Sequence, residues 1–116
     1  MKVKRFEDII AWQKGQDLAV EVYQQSSTLK DFGFRDQICR ASISISNNIA
    51  EGFDRQSNKE FVRFLFIAKS SNGEVKSMLY VAERLGYCEK NKAAEMRNQC
   101  EEISKIIRGL IKSLPN

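Results

Sequence analysis

The sequence predicts an all-α protein made of four helices, forming one domain over residues 1–116. Three observations predict it. The 116 residues include only one proline and six glycines, too few turn formers for a sandwich or barrel of many short strands. Apolar residues recur in steps of three and four through four separate stretches, which is the spacing of helices that bury one side. The run "SNKE" at 57–60 sets Ser57 and Glu60 at capping-box spacing, a local signal for a helix start. A chain of this length can bury about two thirds of its unfolded surface, enough for a single core.

The first stretch covers residues 6–28, where Phe6, Ile9, Ile10, Trp12, Leu18, Ala19, Val22 and Tyr23 form one broad apolar side. Gly15 weakens this helix or permits a close helix contact. The second begins near Phe34, after a loop marked by Asp31 and Gly33. Its middle, "ASISISNNIAEG", alternates small polar and apolar residues like a strand. No other segment alternates in this way, so a strand here would lack a partner for its amides. The helical series Phe34, Ile38, Ala41, Ile45, Ile49 runs beyond the alternation on both sides, so a helix ending at Gly52 is expected.

The third stretch starts at Ser57 and repeats Phe61, Leu65, Ala68, Asn72, Val75, Leu79 and Ala82, flanked by Phe64, Ile67, Met78 and Leu85. Gly86 supplies a left-handed stop after about 30 residues, or about 45 Å. The fourth follows "YCEKN" with Ala93, Met96, Cys100, Ile103, Ile107, Leu110 and Leu114 opposite Arg97, Glu101, Lys105, Arg108 and Lys112, and Pro115 can end it.

The chemistry of common enzymes is missing. The chain has no histidine, which removes Glu-x-x-His di-iron sites, catalytic triads and the preferred zinc ligand. Cys39, Cys88 and Cys100 show no C-x-x-C spacing, and no glycine-rich phosphate loop occurs. No catalytic, metal-binding or cofactor-binding residue is therefore expected, and the protein is read as no enzyme. Acidic Glu7 and Asp8 follow Lys2, Lys4 and Arg5 before any apolar run forms, and no window approaches a membrane span. The three widely spaced cysteines suit reduced thiols. A cytoplasmic protein without membrane contact is expected.

Residues 1–58 carry eight basic and eight acidic side chains, whereas residues 59–116 carry eleven and seven. The whole excess of +4 thus lies in the second half, where it can attract phosphate backbones or simply face solvent. Lys59, Arg63 and Arg84 fall on the outer side of the third helix, with Lys69 and Lys76 on its flank, Arg55 in the preceding turn and Arg40 on the second helix. These seven are the candidate nucleic-acid-binding residues. Val62, Phe66 and Tyr80 lie off the main apolar stripe of the third helix beside Gly73, which predicts a subunit contact. Asn48, Glu51 and Asn72 form a candidate structural polar cluster. Glu51 has Arg40 or Arg55 as a possible partner, and Asn72 sits in the apolar seam. A ligand or partner site is the other reading of the same three residues.

Three motifs in order make the chain resemble the four-helix bundle family of 23S ribosomal RNA intervening sequences. "FEDIIAWQKGQDL" resembles F-E-x-L-x-x-W-Q-x-A-x-x-L, "QICRASISISNNIAEG" resembles Q-I-x-R-A-x-x-S-I-P-x-N-I-A-E-G, and "EFVRFLFIAKSSNGE" resembles E-F-x-x-F-L-x-I-A-x-G-S-x-x-E. The match carries the family signature onto Trp12, Gln13, Gln37, Arg40, Ser44, Asn48, Glu51, Gly52, Arg55, Glu60, Phe64, Ser71 and Glu74. Ser46 replaces the usual proline of the second helix, so a straighter helix is expected, and Cys39 replaces the first arginine of a pair.

The resemblance implies an antiparallel up-down-up-down bundle that assembles with itself as a homopentamer. In a ring of five, +4 per copy would give 5 × 4 = +20. A relative, the accessory variability protein of diversity-generating retroelements, binds nucleic acid and a reverse transcriptase. The expected function is therefore that of a non-enzymatic oligomeric bundle binding RNA or DNA, with structured RNA foremost, through backbone contacts. The alternative is a scaffold that docks a protein partner such as a reverse transcriptase without touching nucleic acid.

Overall fold

A short 3-10 turn, Phe6–Asp8, leads into α1 (Ile10–Ser26), α2 (Phe32–Phe53), α3 (Asn58–Arg84) and α4 (Lys90–Ser113). The computed structural model describes residues 3–115. Lys2 of the basic N-terminal run, and the outermost residues of the expected domain, lie outside the described residues. Among the described residues there is no strand, and the alternating run at 41–46 is entirely helical.

Each helix touches two others: α2 packs on α1 and α3, and α4 packs on α3 and α1. The molecule measures 44 × 22 × 19 Å, and its long axis is close to the length of about 40 Å expected of the 27-residue α3. Leu18, Ile45, Ile49, Leu65, Leu79, Met96, Ile103 and Ile107 fill the centre. Two ties fix the ends. The Tyr87 hydroxyl, just beyond α3, donates to Asp31 Oδ2 at the start of α2 at 2.8 Å, and its ring meets Phe34 edge-on at 5.3 Å. Asn58 Nδ2, at the start of α3, donates to the carbonyl of Pro115 beyond α4 at 3.1 Å. The Tyr87 hydroxyl and the Phe34 amide hold the Asp31 carboxyl below its ordinary range, and the same bond raises the Tyr87 phenol.

The structure corrects several expectations. Residues 6–28 are not one helix, because Ile9 breaks it in an extended conformation (φ −77°, ψ 121°). The break turns Ile9 into the core and stacks Phe6 edge-on against Trp12 at 5.4 Å. The side chain of Gln13 then donates to the Glu7 carbonyl at 2.9 Å, satisfying backbone that a continuous helix would have paired. Ile10 (51%) and Tyr23 (47%) are exposed rather than part of the buried side. Ile67 on α3 and Leu85 just beyond its end are likewise exposed.

Helix α2 begins at Phe32, two residues earlier than the apolar series suggests, because Asp31 caps it by accepting from the Phe34 amide at 3.1 Å. It runs unbroken through Ser46, which is fully buried and accepts a 2.9 Å bond from Gln16 Nε2 of α1. Ser42 is also buried, and its hydroxyl bonds back to the Cys39 carbonyl at 2.8 Å.

The start of α3 carries half a capping box. Ser57 Oγ accepts from the Glu60 amide at 3.2 Å, while the Glu60 carboxylate turns instead to Arg63 at 3.3 Å. Gly86 ends the helix as expected. Its φ of +74° lets the Tyr87 amide reach back to the Ala82 carbonyl at 2.8 Å.

Candidate nucleic-acid interface

The seven candidate cations do not form one patch. Arg55 and Arg63 lie over the Phe64 ring at 4.7 and 4.8 Å, and each is already paired, Arg55 with Glu51 at 2.8 Å and Arg63 with Glu60 at 3.3 Å. Lys59 is exposed one turn before Arg63. Arg84 shares the outer side of α3 but lies 21 residues beyond Arg63, about 32 Å away along the axis. The sequence wheel aligns these residues in angle, and the helix separates them in length. Arg40 stands apart on α2, between an open groove beside α1, reaching Tyr23 and Ile43, and another beside α3, reaching Ser44 and Glu74.

Lys69 and Lys76 occupy a different setting. Asn72, which lies between them, donates from Nδ2 to the Cys100 carbonyl of α4 at 2.7 Å, and Lys76 forms an ion pair with Glu101 of α4. Lys69 lies one turn before Asn72 on that same flank, so both lysines line the groove between α3 and α4. From the other wall come Lys105, Arg108 and Lys112, four, seven and eleven residues beyond Glu101 and therefore on its stripe of α4. Among the described residues Lys69, Lys105, Arg108 and Lys112 have no ion-pair partner, and Arg108 Nη1 donates to Ser104 Oγ at 3.4 Å. Sequence reasoning left Lys105, Arg108 and Lys112 out of the candidate set. Their shared stripe was legible, but their meeting with Lys69 and Lys76 depends on how α3 and α4 sit in register.

The opposite flank of α4 differs. Along α1, Lys14 pairs with Glu102 at 3.3 Å, and Lys92 pairs with Glu21 at 3.0 Å and Glu95 at 3.8 Å. Asp17 adds a further carboxylate there. One side of α4 carries more carboxylates than cations, and the other is basic.

The four residues assigned to a subunit contact lie along one outward strip of α3. Phe66 and Tyr80 are each 52% exposed, and Val62 is partly buried against the core. A Cβ added at Gly73 would meet nothing within 4 Å. Arg97 lies over the Tyr80 ring at 4.2 Å and pairs with Glu83 at 2.9 Å. Val81 is a further exposed apolar residue of this helix.

The polar residues arrange themselves as a ladder between α2 and α3. Gln37 Nε2 donates to Glu74 at 3.1 Å, the Ser44 and Ser71 hydroxyls lie 2.9 Å apart, and Asn48 Nδ2 donates to the Ser44 carbonyl and hydroxyl at 2.8 Å. Asn48 therefore acts within the helix pair, on the Ser44 that meets Ser71 of α3. Glu51 selects Arg55 rather than Arg40. Asn72 is separate from this ladder, buried on the α4 side.

Among the described residues no group of three or more Cys, Asp and Glu side chains could hold a metal ion, and no helix is long and apolar enough to cross a membrane. Burial pushes the Cys100 thiol up to about 12, and it also raises Cys39 and Cys88. Native protein at neutral pH should therefore react slowly with iodoacetamide, half-buried Cys88 first, with all three thiols labelled in denaturant. Mass spectrometry of the alkylated protein checks this, and prompt native labelling of Cys100 would contradict it.

The solved structure of a protein of unknown function from Bacteroides thetaiotaomicron, described as from the S23 ribosomal protein family, is similar to this chain. The two are 27% identical with a TM-score of 0.84, and the match covers 90% of this chain and 100% of that one. No curated protein matches. The family model described as 23S rRNA-intervening sequence protein matches residues 7–109. The three sequence motifs, the four-helix bundle and this match agree, and the chain belongs to the 23S rRNA-intervening sequence protein family.

Proposed function

We propose that this protein is a non-enzymatic, cytoplasmic oligomer that binds structured RNA through backbone contacts from its basic side. The observation that carries the reading is the division of charge on α4. Cations facing α1 are paired, whereas Lys105, Arg108 and Lys112 facing α3 are joined by Lys69 and Lys76 against Glu101. A surface of this kind suits phosphate neutralisation, which needs no particular base. The family is described by intervening sequences of 23S rRNA, and structured RNA is therefore the nucleic acid to test first.

The proposal includes an up-down-up-down topology and a ring of five copies. The short connections and the end ties at Tyr87 and Asn58 support the topology. The exposed strip of Phe66, Gly73 and Tyr80 supports self-association. The scaffold reading is favoured by the further exposed apolar residues on and just beyond α3, Ile67, Val81 and Leu85. Sedimentation with a labelled RNA stem-loop separates the two. On the RNA reading the label moves with the protein oligomer, and an unlabelled stem-loop of unrelated sequence competes. Label that stays with free RNA at low salt favours the scaffold.

A further inference from the structure

The densest run of unpaired cations lies in one groove. Beyond the neutral Arg97–Glu83 pair, Lys69, Lys76, Lys105, Arg108 and Lys112 set five cations against the carboxylate of Glu101. The chain contains 19 basic and 15 acidic side chains, so removing these six residues leaves 14 of each. These six residues thus sum to +4, as much as the net charge of the whole chain.

Glu101 lies at its centre. Lys76 reaches it across the groove, and Lys105 and Arg108 stand one and two turns along the same stripe of α4. Lys76 foremost, with Lys105 and Arg108 behind it, holds the Glu101 carboxyl below its ordinary range, and Glu101 in turn raises the Lys76 ammonium. An anion is thus stabilised at this position by three cations from two helices. The Glu101 side chain is half exposed, with Lys76 at 34%, so a polyanion outside the protein can reach the same cations. Lys69 to Lys76 and Lys105 to Lys112 are each seven residues, about 10 Å along their helices. The cations therefore extend along the groove, as successive contacts to a strand would need, rather than meeting at one point.

We propose that the groove between α3 and α4 is the track for an RNA phosphate backbone, with the Glu101 carboxylate standing, in the free protein, where a phosphate oxygen sits in the complex. The inference rests on the RNA-binding reading and assigns its site. The exposed rings beside this flank, Phe66 and Tyr80, belong to the proposed subunit contact. The groove itself therefore offers cations rather than aromatic faces, which points to the backbone of a stem rather than to splayed single-stranded bases.

The test measures affinity for an RNA stem-loop across a salt series. Glu101→Gln frees Lys76 for one more phosphate. It should tighten binding roughly five- to eightfold at 0.1 M salt for each engaged subunit and steepen the log–log slope by about 0.7–0.9. Lys105→Gln with Arg108→Gln removes two contacts, so binding should weaken about 25- to 60-fold and the slope become shallower by about 1.4–1.8. Arg84→Gln, outside the groove, should change neither. Inorganic phosphate at constant ionic strength should not displace the RNA. Displacement by millimolar phosphate would identify a free-anion site and overturn the track. The gain expected for Glu101→Gln cannot arise from misfolding. Wild-type binding with unchanged affinity and slope in both groove variants would overturn the groove and leave the RNA reading standing. A wild-type protein that binds no RNA at low salt would overturn both.

Discussion

Gly52→Ala should destabilise the protein by about 2–3 kcal/mol, although the same change in an open stretch of helix stabilises by up to about 1 kcal/mol. The reason is the approach of α2 to α3. A Cβ at position 52 would lie 2.5 Å from the Cβ of Phe64 and 3.1 Å from Cδ1 of Phe61. The Phe64 Cβ is bonded to the α3 backbone, so no rotamer change relieves the clash and the helices themselves must part. Parting them disturbs the seat of Phe64, over which both Arg55 and Arg63 lie. Gly109→Ala is the control, because its added methyl meets nothing within 4 Å and should raise stability by about 0.5–1 kcal/mol. Urea denaturation should show the two midpoints moving in opposite directions with similar slopes. A Gly52→Ala protein as stable as the wild type would contradict the close contact.

Phe66→Glu should reduce the oligomer to a monomer of about 13.3 kDa with its helix content unchanged. The wild type, as a ring of five, should sediment near five times that mass. Phe66 is 52% exposed and packs outside the core, so a charge there costs the single chain little. In an interface the same substitution removes the burial of the exposed half of a phenyl ring, about 1–1.5 kcal/mol, and buries a carboxylate in its place. A ring repeats that loss at every contact. Sedimentation equilibrium with circular dichroism measures both properties. A wild-type protein of 13.3 kDa at every concentration would remove the assembly from the account, and a Phe66→Glu oligomer would move the interface elsewhere.

The helices were legible because their signals are local. Ser57 and Gly86 mark the ends of α3 through their own backbone geometry, and the apolar steps from Phe61 to Ala82 need only helical spacing. The alternating serines misled only within a short window, since Ile38 and Ile49 lie beyond it on the same buried side. The break at Ile9 was not legible, because it depends on the meeting of Phe6 with Trp12 and of Gln13 with the Glu7 carbonyl. The site was legible only in part for the same reason. Lys69 and Lys76 were found on α3, but their companions Lys105, Arg108 and Lys112 belong to another helix, and the Asn72–Cys100 bond that fixes their register appears only in the fold. Arg84 was grouped with Arg63 because a helical wheel records angle and discards distance along the axis.

The proposed function stands on phosphate contact by this basic side, and the most direct measurement is the wild-type affinity for an RNA stem-loop between about 50 and 200 mM salt. With three or more phosphates neutralised, affinity should fall along a log–log line with a slope of about −2 or steeper, alike for stem-loops of unrelated sequence. A flat line, or no measurable binding at the low-salt end, would contradict the proposed function.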